Sequence, residues 1–102
     1  MTDLPIACSL SPSALKARKE GLLGRVASAA QQTIQLERGY RFEFDPDEAA
    51  LLLIARMIDA ERQCCRFLQF DLTVPPDGAR ISLDVTGPVG TREFLDALLE
   101  PA

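Results

Sequence analysis

Histidine and tryptophan are absent from the 102 residues, tyrosine occurs once, and cysteine occurs three times. Without histidine there is no imidazole base, no Ser-His-Asp or Cys-His nucleophile and no His-ligated metal site. Any chemistry falls to Cys, Asp, Glu, Lys, Arg, Tyr or backbone groups. No apolar run in the sequence approaches the ~18 residues needed to cross a bilayer, so no membrane partner is expected. Positive charge is scarce: 11 Lys and Arg against 15 Asp and Glu leave a net charge of -4. That is the wrong sign for nucleic acid, whose recognition rests on clustered Lys and Arg.

What is present describes an ordinary globular chain, 47% hydrophobic and 25% charged. At this length residues 1–102 make a single domain with one modest core. An alanine before Cys8 is a feature of lipoprotein leaders, but the segment before it carries Asp3, no basic residue and no apolar stretch. We therefore expect no signal peptide and a cytoplasmic protein, in which thiols stay reduced. An odd number of cysteines also fits poorly with a structural disulfide framework.

Hydrophobic periodicity and turn chemistry give the element order (β)αβαββα. Residues 6–10 form a short strand or an extended lead-in. Ser11 and Pro12 cap and open a helix that runs to about Gln31, with irregularity expected at Gly21 and Gly24. Residues 33–44 are β-like, Tyr40, Phe42 and Phe44 alternating with Arg41 and Glu43 around a turn or bulge at Gly39. Asp45 caps a second helix, Pro46 opens it and Glu48 completes the cap; the helix runs to about Leu68. Residues 70–86 read as a hairpin folded at Pro75-Pro76-Asp77-Gly78. Thr91 caps a last helix carrying Phe94, Leu95, Leu98 and Leu99. The fold class is α+β: two layers, an antiparallel sheet of three to four strands with about three helices packed on one face.

The second helix holds the unusual residues. At ~100° per residue, Ile54, Met57, Ile58, Glu61, Cys64, Cys65 and Leu68 share one stripe, while Asp59, Arg62, Gln63 and Arg66 lie opposite. Glu61 is thus a carboxylate inside an apolar stripe, and its i, i+3 and i, i+4 neighbours are Cys64 and Cys65. Burying it is costly unless it is paired or protonated. Two readings are open: a structural ion pair with Arg18 or Arg25 of the first helix, or a proton or metal partner beside two thiols.

Cys64 and Cys65 pack as small hydrophobes or act together as soft ligands that select soft ions. Near a helix C-terminus the dipole does not activate them. Cys8 is either a buried strand residue or a third thiol, its position before a helix favouring the thiolate. With no C-x-x-C pair, a zinc ribbon is excluded. Tyr40 serves as core packing or as a hydrogen-bond partner of the site. Residues 87–91 lack the Lys-Ser/Thr ending of a phosphate loop and read as turn chemistry.

Glu61-x-x-Cys64-Cys65-x-Phe67-Leu68-x-Phe70, with Leu72 and the later Gly87-Pro88-x-Gly90 and Phe94-Leu95, resembles a family of short, mostly uncharacterised bacterial proteins. Their hallmark is Glu-x-x-Cys-Cys-x-Phe-Leu-x-Phe, and some are encoded near mercury or arsenic resistance functions. The likeness extends to Cys8-x-Leu10, Arg18 and Gly39-Tyr40. Arg66 stands where the family pattern often has proline. The resemblance implies Cys8, Arg18, Tyr40, Glu61, Cys64 and Cys65 as the site.

Three functions follow as expectations. The first is capture of a soft metal or metalloid ion, such as Hg(II), As(III) or Cu(I), by Cys64 and Cys65 with Cys8 as third ligand. Glu61, Arg18 and Tyr40 then support the site. The second is a thiol enzyme acting on a disulfide, peroxide or organometal bond, with Cys64 or Cys65 as nucleophile and Glu61 as acid or base. The third is an interaction domain whose cysteines only pack. The expected partners are a metal ion or small thiol-reactive ligand, and a homodimer joined through the apolar second helix.

Overall fold

A computed structural model describes residues 21–99, with Cys64, Leu98 and Leu99 by their backbone alone. The strand at residues 6–10, the helix start at Pro12, and Cys8 and Arg18 lie outside the described residues. Seven elements follow in order: α1 (Leu22–Ala29), β1 (Gln32–Leu36), β2 (Gly39–Phe44), α2 (Glu48–Cys64), β3 (Gln69–Thr73), β4 (Ile81–Thr86) and α3 (Thr91–Leu99). This is the expected α+β class. All four strands join one antiparallel sheet in the order β1-β2-β4-β3.

Alternation along the strands sorts the two faces of the sheet. On one face lie Phe42, Phe44, Ile81, Leu83 and Val85, all buried. The helices cover that face, with Leu23 and Val26 of α1, Ile54 and Met57 of α2 and Leu95 of α3 completing the core. α1 packs on α2 and α3, and α3 reaches β2. On the other face Arg41 grips Asp84 with two hydrogen bonds, Nε to Oδ1 at 2.7 Å and a second to Oδ2 at 3.0 Å. Gly39 sits where β2 meets β4. A Cβ there would stand 1.9 Å from the Val85 carbonyl oxygen, so only glycine permits the pairing.

Several boundaries differ from expectation. The irregularity expected at Gly21 is there, at φ -93° and ψ -148° where it caps α1, but Gly24 lies within an unbroken helix that ends at Ala29 rather than near Gln31. Glycine has the weakest helix preference of any residue but proline, and the chain bends at Gly21. Residues 33–44 are two strands, with Leu36 paired to Gly39 across a turn at Glu37 and Arg38. The cap of α2 is Asp47, not Asp45: the Asp47 carboxylate accepts from the Ala50 amide at 2.7 Å. Asp47 immediately precedes the first helical residue, Glu48, so its carboxylate meets the free amide of the third helical position, whereas Asp45 lies two residues too early.

α2 also stops at Cys64, four residues before the expected end. Cys65 leaves the helix at φ -121° and ψ 86°, which turns Phe67 and Leu68 into the core ahead of β3. Thr91 does not cap α3 as an acceptor. It is the first helical residue, fully buried, and its hydroxyl donates to the Pro88 carbonyl at 2.7 Å. The hairpin of β3 and β4 forms as expected, with Asp77 in the left-handed region (φ 61°) that a short polar side chain tolerates.

Candidate functional site

The inward face of α2 is the one the helical periodicity draws. Ile54 and Met57 are fully buried, Glu61 is 4% exposed and Cys65 is fully buried, whereas Asp59, Arg62, Gln63 and Arg66 are exposed. One turn separates Glu61 from Cys65, and the Cys65 amide donates to the Glu61 carbonyl at 2.6 Å. That bond closes the last turn of the helix. The Glu61 side chain and Cys65 are both engaged with partners inside the protein. A buried carboxylate without one would not be tolerated.

Cys65 is disulfide-bonded. The chain's other cysteines are Cys8, outside the described residues, and Cys64, described by its backbone alone. The oxidised pair was not anticipated from an odd count of thiols and a reducing compartment. Sequence could not supply it, since pairing depends on where the chain folds back. Among the described residues no group of three or more Cys, Asp or Glu side chains is placed to hold a metal ion.

The segment after Cys65 is fixed from several sides. The Leu68 amide donates to the Cys65 carbonyl at 3.2 Å. The Phe67 ring meets Phe94 of α3 edge-on, centroids 5.1 Å apart. Gly87 lies against the Phe67 carbonyl, and a Cβ there would come within 2.4 Å of the Thr91 hydroxyl and 3.0 Å of the Phe67 oxygen. The Gly87-Pro88 loop thus acts as a wall behind the thiol segment.

Tyr40 points elsewhere than to this wall. Its hydroxyl donates to Asp96 of α3, and its ring lies 6.3 Å from Phe42. The bond to Asp96, with some burial and the charge of Asp96 itself, holds the phenol above its ordinary value. Tyr40, Asp96, Glu93, Thr33 and Ala27 border a cavity of about 680 Å³ between α1, α3 and the β1 side of the sheet. Asp96 and Phe67 were missed as site residues. Asp96 has no sequence signal, because a lone aspartate on an amphipathic helix reads as solvated surface. Phe67 lies inside the Cys-Cys motif.

Comparison of this chain with family models, curated proteins and solved structures finds no match. Among the described residues no helix is long and apolar enough to cross a membrane.

Proposed function

We propose that the reduced protein captures a soft thiophilic ion through Cys65 and Cys64, with Cys8 as a third sulfur and Glu61 beside them. One observation carries the reading. Cys65 is fully buried at the end of α2 and already bonded to a second sulfur. A chain folded to bring two sulfurs together holds two thiols together once reduced, and adjacent thiolates favour soft ions. Glu61, one turn away and also buried, supplies a local base.

The chemistry balances in two steps. A cellular thiol pair reduces the disulfide and leaves as its own disulfide. A divalent soft ion then displaces two protons from the two protein thiols and forms two metal–sulfur bonds. Arsenic(III) arriving as the hydroxide forms its sulfur bonds with loss of water. Binding of a cation such as Hg(II) or Cu(I) therefore strengthens as pH rises through the thiol range, whereas in arsenic(III) binding the thiol protons leave as water.

The disulfide gives specific support to a second reading, a thiol–disulfide exchange protein. In that reading the disulfide itself is the working group and Glu61 its acid or base. The ion-binding reading is tested by one comparison. The reduced chain and its Cys64→Ser/Cys65→Ser double variant are titrated with Hg(II) and with phenylarsine oxide as an As(III) probe. Loss of binding in the double variant, with far-UV circular dichroism unchanged, is the expected result. Undiminished binding contradicts the proposal.

A further inference from the structure

The two edges of the sheet are unlike. β3 carries Asp71 and runs into Pro75-Pro76, and charge and proline are common means by which an edge strand discourages pairing. β1, at the other edge, reads Gln-Thr-Ile-Gln-Leu, with no charge, no proline and no glycine. It carries none of these protections.

The face of the sheet opposite the described helices points to the same edge. Cross-strand partners share a face, so the register puts Ile34 and Leu36 on the face that holds Arg41 and Asp84. That face is otherwise polar or glycine along all four strands: Arg41, Glu43, Asp84 and Asp71 dominate it. Its two apolar side chains both stand on β1, each half-exposed.

We propose that β1 pairs antiparallel with β1 of a second copy of this chain, about a two-fold axis through Ile34, making one continuous eight-stranded sheet. The sequence is self-complementary in that register. Ile34 meets the partner's Ile34, Thr33 meets the partner's Gln35, and Gln32 meets the partner's Leu36. No like charges face one another. Ile34 and Leu36 of both copies gather into one apolar cluster on the outer face, bounded by Arg41 on each side. On the inner face, Thr33 borders the Tyr40–Asp96 cavity, so the partner's Gln35 comes alongside it. Two-fold pairing uses up the β1 edge of each copy and leaves only the two protected β3 edges at the ends of the sheet, so growth stops. The proposal stands apart from the thiol chemistry.

The test is sedimentation equilibrium of the full chain across the micromolar range, with a non-reducing gel of the same sample. The expected result is a non-covalent dimer. Ile34→Lys sets two ammonium groups face to face on the axis and weakens dimerisation by at least about tenfold. Leu36→Lys does so from a second position, which guards against misfolding of the first variant. Both variants keep the wild-type circular dichroism and a cooperative melt, because each site is already half-exposed. The amides of Thr33 and Gln35, which alternate with those bonded to β2, exchange more slowly as the wild-type concentration rises. A wild-type monomer at every concentration, a dimer joined by disulfide, or a dimer that survives both substitutions overturns the proposal.

Discussion

A carboxylate with 4% of its surface exposed, one helical turn from a fully buried cysteine, is expensive for a domain of this size. The placement of Glu61 is the detail hardest to attribute to packing alone, since an apolar residue of similar volume would fill the same space. Periodicity revealed it because helix faces follow from spacing, and spacing is local. Arg25, one of the two cations considered for it, lies exposed on α1; Arg18 lies outside the described residues. Tyr40 was legible as an inward-facing strand residue, but its bond to Asp96 was not, because the two are far apart in sequence. That bond has a measurable consequence. A raised folded-state value means that the folded protein holds the phenolic proton more tightly than the unfolded chain. The associated stability is fully present below the ordinary tyrosine value of about 10 and is lost as pH rises through the folded value. With one tyrosine and no tryptophan, ultraviolet titration of tyrosinate reads this group alone. Asp96→Asn is expected to lower its midpoint toward the ordinary value; an unchanged midpoint contradicts the assignment.

At the scale of elements, most identities were legible and several ends were not. Alternation in residues 40–44 and 81–85, and the wheel of α2, follow from short-range rules that the core respects. Ends depend on competing caps. Asp45 and Asp47 both precede the helix, and only the fold selects Asp47, whose carboxylate reaches the Ala50 amide. Asp47→Ala is expected to cost about 0.5–2 kcal/mol in urea denaturation, and Asp45→Ala distinctly less. Equal losses contradict the placement of the cap. The far end was overextended for a related reason. Cys64, Cys65 and Leu68 continue the helical stripe in spacing, yet Cys65 turns out of the helix so that Phe67 can meet Phe94. An apolar stripe is equally well buried by a turn that ends in the same core, and periodicity alone does not distinguish the two.

At the scale of the whole molecule, the described residues form a four-stranded sheet with helices over one face and polar side chains on the opposite face. The class was legible; the strand order was not, because β2 joins β4 across the intervening α2 and β3. Nor was the disulfide at Cys65. Of the three leucines at the start of the second helix, Leu51 and Leu53 are half-buried against the core and Leu52 is exposed at 55%. The central claim is that buried, paired sulfur beside Glu61 serves to hold a soft ion. It is tested most directly by anaerobic titration of the fully reduced full-length chain with Hg(II), As(III), Cu(I) and Zn(II), following thiolate-to-metal absorption and the remaining free thiols. The account predicts tight binding of one ion per chain that consumes two or three thiols, releases protons when the ion is a metal cation, and prefers the soft ions to zinc. Thiols that stay free at one equivalent of every ion would contradict it and leave the cysteines to packing or to disulfide exchange.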